Sequence, residues 1–279
     1  MANSIKIGAL VSGGGTNLQA IIDACEQNRI NGRMVFVGSD NPSAKGLERA
    51  RKHGIATFSV DYRAIIKPFK NAHATPPTPT DFNLDRIRNK QTLIQTAATP
   101  QRIDRFLCSR AVAEDRLIRH MKAHDFDLLV LAGFMRTLTP YFIDRISPDA
   151  ESPTIMNIHP ALLPAFPGTD GYGDTFRYGC KVGGCTVHFI DYGEDSGPII
   201  GQKSFAIAPD DTLDDVRKKG LALEWQLYPE CIALFAQRRL KTRHETLRLP
   251  DGKKVQRTVT RILPAEPEPK PAEVNRRSP

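Results

Sequence analysis

The sequence lacks any apolar run long enough to span a membrane; its longest candidates, such as Leu128 to Phe134, have the length of buried strands. It also lacks a hydrophobic leader with a cleavage site. The opening MANSIKIGALVSGGG has one lysine and a short apolar run ending in glycines, so no signal peptide is expected. Cysteine is sparse: five residues, an odd number, with no Cys-x-x-Cys, and Cys180 and Cys185 nearest each other. That pattern favours free thiols over a metal site or disulfide and points to the cytoplasm. No internal repeat and no base-reading motif is present.

What the sequence does have is material for a core. Its 279 residues are 40% hydrophobic and 25% charged, enough for one large domain or two small ones. The net charge of +8 invites a nucleic-acid reading until it is located. Most of the excess follows Gln237, between Arg238 and Arg277, and the rest of the chain is near neutral. A basic terminal stretch with no accompanying motif reads as a solvated extension, so nucleic acid is not an expected partner.

The first sixty residues alternate in period. Ile5–Val11, Met34–Val37 and Ala56–Val60 read as strands. Leu18, Ile21, Ile22 and Cys25 recur at helical spacing, and Ala44–His53 reads as a helix closed by Gly54. Strands separated by such helices predict βαβ units and a parallel sheet. Periodicity then breaks from residue 63 to 107, apart from a helical patch near Leu84–Thr96. A stretch longer than the roughly 12–15 residues of an ordinary loop reads as an insertion. A helix over Ser109–His124, a strand over Asp127–Ala132, a helix near Pro140–Arg145 and a strand over Thr154–Ile158 follow. Gly183–Asp191 and Pro198–Ile207 are β-rich runs about the turn DYGEDSG, predicting an antiparallel hairpin. Asp211, Asp214 and Asp215 open an amphipathic helix to about Phe235, where acidic residues suit the helix dipole. A small hairpin is expected around PDGK, within 241–263, and PAEPEPKPAEVNRRSP, within 264–279, has the composition of a disordered tail.

Three motifs carry chemistry. SGGGTN, Ser12 to Asn17, joins the first strand to the first helix, where backbone N–H groups can face an anion. No Gly-Lys-Ser/Thr follows, and the third glycine of the dinucleotide fingerprint is missing, so neither of those loops is present. In MNIHPALLPAFPG, Asn157 and His159 stand two apart at a strand end and share a side. The imidazole can exchange a proton near neutrality and the amide can donate to an oxyanion. Spacing alone still favours a structural histidine beside a rigid proline-rich turn. In HFIDYGEDSGPII, Asp191, Glu194 and Asp195 compete as the acid that could meet His159, and His188, inside a strand, reads as core.

Taken in order with GLERARKHGI, LLVLAGFMRTLTP and LALEWQLYP, these segments resemble the phosphoribosylglycinamide formyltransferases, over Ile5 to about Leu240 apart from the insertion. The resemblance implies an α/β, Rossmann-like formyltransferase fold: a mostly parallel sheet with an antiparallel C-terminal hairpin, a transferase domain over 1–240, and transfer of a formyl group from 10-formyltetrahydrofolate without a metal. By position it implies Asn157, His159 and Asp195 as the catalytic set. It also implies Gly15, Thr16, Asn17 and Glu224 on the substrate side. Arg110, Met135, Arg136, Thr137, Leu138, Asn157 and Asp191 fall on the folate side, with the Asp191–Asp195 loop closing over the pterin. The partners implied are small molecules, with no membrane, and none of the motifs encodes an oligomeric state. One segment departs from the pattern: where the family carries a histidine-rich helix start, this chain has TDGYGDTFRYG, with Asp170 and Asp174. Methionyl-tRNA formyltransferase, formyltetrahydrofolate hydrolase and a non-catalytic folate or phosphosugar binder are the alternatives. The first expects a β-barrel after the domain, the second a preceding regulatory domain, and the third no need of the full catalytic set.

Overall fold

Strand β1 (Ile5–Val11) ends in the glycine-rich loop, and helix α1 (Thr16–Glu26) starts immediately after it. The computed structural model describes residues 4–70, 77–93 and 98–265. After α1 come β2 (Gly32–Ser39), α2 (Lys45–Lys52) and β3 (Ala56–Ser59), then α3 (Tyr62–Lys70), α4 (Leu84–Lys90) and α5 (Pro100–Met121). The second half runs β4 (Leu128–Leu131), α6 (Pro140–Ile146), β5 (Ile155–His159), α7 (Gly171–Arg177), β6 (Val182–Phe189), β7 (Ile199–Ala206) and α8 (Leu213–Ala236). Strands β8 (Leu240–Arg248) and β9 (Lys254–Ile262) form a separate antiparallel pair.

The main sheet has the order β3-β2-β1-β4-β5-β6-β7. Its first five strands are parallel, and β6 and β7 add to the edge in antiparallel sense. Alternate residues of each strand face opposite sides, so one sequence feeds two cores. Leu128 and Val130 of β4 pack with α1, α2 and α8, whereas Leu129 and Leu131 pack with α5 and α6. The order reverses between β1 and β4. Loops leaving the carboxyl ends of these neighbours diverge there and leave a crevice, the usual ligand position in such sheets.

Helix α3 departs from the sequence expectation by its presence and α5 by its length. Within 63–107, α3 carries Tyr62, Ile65, Ile66 and Phe69, a regular 3.6-residue face that packs on α5, although Pro68 lies inside it. Helix α5 begins at Pro100, nine residues before the expected start; a proline suits the first turn, whose N–H groups lack helical partners anyway. Residues 94–96 of the patch expected over Leu84–Thr96 lie outside the described residues, as does the tail from residue 266 on. Helix α8 opens near the acidic residues expected at its start, and there Thr212 and Asp215 form a reciprocal capping box.

Candidate active site

Strand β5 delivers the central pair. Asn157 and His159 lie two residues apart, so both side chains face one side of the sheet, and Thr186 of β6 is the antiparallel partner of His159. His159 is 2% exposed. Its Nδ1 lies 3.1 Å from Asp195 Oδ2, and its Nε2 lies 2.8 Å from the Phe166 carbonyl oxygen. Both neighbours are acceptors, so the ring satisfies both only when each nitrogen carries a proton. Burial, the largest single influence, opposes that charge. Asp195, the Phe166 carbonyl and more distant Glu224 together outweigh it, and the His159 pKa is raised.

Asp195 is positioned by the turn after β6. It stands at φ +50°, a left-handed conformation uncommon for residues other than glycine. The Gly168 N–H donates to its Oδ2 at 2.8 Å, and His188 Nε2 approaches Oδ1 at 3.6 Å. Burial raises its pKa, but the bond and charge of His159, the nearby His188 ring and the Gly168 amide hold the carboxyl well below the usual range. Asp191 instead ties its own loop, accepting from Gly193 N and Ser196 Oγ.

His188 is more than core. With Nδ1 donating to the Phe189 carbonyl at 2.9 Å, its Nε2 is left to accept from Asn157 Nδ2 at 3.3 Å. That bond fixes the Asn157 amide and leaves its second N–H free for another acceptor. Sequence spacing missed this role, yet register carried a signal: His188 is the direct cross-strand partner of Asn157.

Asn157, His159 and Asp195 line a cleft of about 410 Å³, with His188 buried outside its lining. One end is partly apolar, with Leu131, Phe134, Leu138 and Ile190 beside Met135, Arg136 and Asp191. The other end is polar, with Asn17, Tyr172, Arg217 and Glu224. Glu224, 4% exposed, accepts from Asn17 Nδ2 and from the Tyr172 hydroxyl, each at 2.6 Å. Burial raises its pKa against the lowering effect of those two donors. Asn17 Oδ1 is buried without a hydrogen-bond partner among the described residues.

A family model described as Formyl transferase matches residues 5–232. The chain belongs to the formyl transferase family. It is similar to the phosphoribosylglycinamide formyltransferase of Escherichia coli (strain K12), 34% identical over 251 residues that cover 90% of this chain and 96% of that protein. The protein of the same name from Bacillus subtilis (strain 168) is 31% identical over 227 residues, covering 81% and 92%. Among solved structures, glycinamide ribonucleotide transformylase 1 from Symbiobacterium toebii superposes with a TM-score of 0.65 at 35% identity, covering 95% of this chain and 96% of that one.

In this formyl transferase the residues expected from sequence fall into two groups. Asn157, His159, Asp195, Asn17, Glu224, Met135, Arg136, Thr137, Leu138 and Asp191 all line the cleft. Gly15, Thr16 and Arg110 do not. Gly15 stands at φ +70° with its Cα against α2, where a β-carbon would come within 2.7 Å of Gly46 Cα, so glycine is required there. No side chain caps α1, and its first-turn N–H groups are therefore left for a ligand or water. Arg110 sits behind the cleft wall, its guanidinium 5.6 Å from the Tyr62 ring and 5.2 Å from the Phe106 ring. Arg136, the folate-side arginine that does line the cleft, is held by an ion pair to buried Asp40, which also accepts from Ser12 Oγ. Among the described residues no group of three or more His, Cys, Asp or Glu side chains is placed to hold a metal ion.

Proposed function

We propose that the protein transfers the formyl group of 10-formyltetrahydrofolate to the amine of N1-(5-phospho-D-ribosyl)glycinamide, a step of purine biosynthesis, in the cytoplasm. The observation that carries this reading is His159 held between two acceptors beside Asn157, at the junction of an apolar and a polar half of one cleft. The substrate amine attacks the formyl carbon and the carbonyl pair moves onto oxygen. Asn157, steadied by His188, donates its free N–H to that oxyanion, and the charged His159 ring stabilises it. Donors of this kind are worth about 10²–10³ in rate each. The Nε2–H that rests on the Phe166 carbonyl is the proton the oxyanion competes for. When the adduct collapses, folate N10 leaves and gains a proton as the attacking nitrogen loses one; the His159–Asp195 pair is the relay for it.

The polar end suits a phosphorylated sugar. Asn17 Oδ1 has no partner among the described residues and can accept from a sugar hydroxyl, and the α1 N-terminus with its glycine loop suits the phosphate. The partly apolar end suits a planar pterin. Five free thiols are consistent with a reducing compartment. An assay with both substrates on wild type and His159→Ala tests the reading. We expect transfer by wild type and a kcat reduced about 10²–10⁴-fold in the variant. A folded wild-type protein that forms no formylated product sinks the assignment.

A further inference from the structure

Residues 77–93, part of the stretch that reads as an insertion, run along α6 and end beside the loop that carries Asp195. Two anchors fasten them to α6. Near the start, Asp81 accepts from the Tyr141 hydroxyl at 3.1 Å and from Arg145 Nη2 at 2.6 Å, while Phe82 packs edge-on to the Tyr141 ring. One helix later, Arg86 and Lys90 stand four residues apart on one face of α4. Both reach the Asp144 carboxylate, at 3.2 and 2.6 Å.

Beyond the second anchor the chain changes target. Thr92 donates its backbone N–H and its hydroxyl to the Tyr192 carbonyl oxygen, each at 3.1 Å. The Tyr192 hydroxyl donates to Asp144 at 2.5 Å, and Lys90 Nζ lies 5.2 Å from the centre of its ring. Tyr192 is therefore gripped at its carbonyl by the strap and at its hydroxyl by the carboxylate that anchors the strap. A β-carbon on residue 193 would come within 3.0 Å of Thr92 Oγ1, so the glycine there permits this approach.

Asp195, three residues after Tyr192, gives the grip a purpose. Its left-handed backbone at φ +50° is not one a free loop favours for a residue with a side chain. Contacts from outside the loop select it: His159 and the Gly168 amide hold the carboxylate, and Thr92 holds the backbone at Tyr192. We propose that α4 and Thr92 form a strap that presets the Asp191–Asp195 loop, with Lys90, Thr92 and Tyr192 as positioning residues for Asp195 and for the formyl-donor end of the cleft. The inference rests on the proposed function for its kinetic consequence only. The Asn17, Tyr172 and Glu224 end is held by α1, α7 and α8 instead, so the strap acts on one substrate and not the other.

The test compares wild type with the triple variant Lys90→Met, Thr92→Val, Tyr192→Phe, and with Tyr192→Phe alone in case the triple variant fails to fold. Amide hydrogen exchange is followed by mass spectrometry together with KM for each substrate. Exchange across 191–197 rises about tenfold or more while β5 and β6 keep their protection. KM for 10-formyltetrahydrofolate rises about fivefold or more, and KM for the phosphoribosyl amine stays unchanged. Loop exchange equal to wild type in both variants, or a rise spread evenly over β5 and β6, overturns the strap. The exchange measurement needs no substrate. A loop-confined rise in a protein that transfers no formyl group therefore keeps the strap and discards the activity, whereas an active wild type with an unchanged variant loop does the reverse.

Discussion

A β-carbon on residue 220 would stand 2.1 Å from Cζ of Tyr172, so Tyr172 and Gly220 fit only as a pair. Gly220 lies inside α8, where glycine is about 1 kcal/mol less favourable than alanine. The space it leaves lets the Tyr172 hydroxyl reach Glu224 Oε1 at 2.6 Å. At the start of α7, a side chain on Gly171 would meet the Pro160 carbonyl oxygen at 2.6 Å, so this turn too is built for close approach. The TDGYGDTF segment thus supplies a tyrosine to the substrate end of the cleft. Asp170 and Asp174 both pair with Arg177, at 2.9 and 2.6 Å, and Asp170, which also faces Arg217 at 3.5 Å, lines the cleft.

Gly220→Ala is expected to destabilise the protein, against the usual gain from alanine in a helix. The overlap with the Tyr172 ring costs about 1–3 kcal/mol, typical of overpacking. Urea denaturation measures it, and adding Tyr172→Leu to make the double variant recovers most of the loss. An alanine variant as stable as wild type would show that the ring moves aside freely.

Tyr172→Phe removes one of the two donors to Glu224 and leaves burial less opposed, so the Glu224 pKa rises further. KM for the phosphoribosyl amine is expected to increase about tenfold, as for a hydrogen bond to a charged group. The acid limb of kcat/KM for that substrate moves to higher pH. Steady-state kinetics across pH checks both, and an unchanged acid limb refutes the link between Tyr172 and Glu224.

Asp195→Asn removes the main influence that raises the His159 pKa and leaves burial, which lowers it. In wild type, activity that needs charged His159 persists below its raised pKa and falls as pH climbs through it. In the variant that alkaline limb shifts to lower pH, and kcat drops about 10²-fold or more. Nitrogen NMR of the imidazole reads the titration directly.

The same pair shapes stability. His159, with a raised folded pKa, stabilises most below its unfolded value of about 6.5, and the contribution fades as pH rises through the folded one. Asp195, with a depressed pKa, stabilises above about 3.9, and its contribution fades as pH falls through the folded value. Wild type is therefore expected to lose stability toward acid more steeply than Asp195→Asn below about pH 4. Denaturant midpoints at several pH values measure this; parallel acid slopes for the two proteins contradict it.

Much of the fold was legible because its signals are local. Alternating periods in the first sixty residues specify the βαβ units, and the acidic residues Asp211, Asp214 and Asp215 mark the start of α8. The shared side of Asn157 and His159 follows from two-residue strand periodicity. In α3 the spacing of Tyr62, Ile65, Ile66 and Phe69 was equally regular, but Pro68 and the surrounding threonine- and proline-rich segments masked it. What the sequence by itself determined, then, was each element's period and the residue types at the strand ends. Asp191, Glu194 and Asp195 are chemically alike within five residues, so local chemistry left the acid for His159 open; the family resemblance pointed to Asp195, and the left-handed turn of the tertiary structure aims it there. Tertiary structure alone decided that His188 steadies Asn157 across β5 and β6, that Arg110 lies behind the cleft, and that Thr92 grips Tyr192 across 100 positions of sequence. Those are contacts between distant segments, and no local pattern of residues encodes the distance between them.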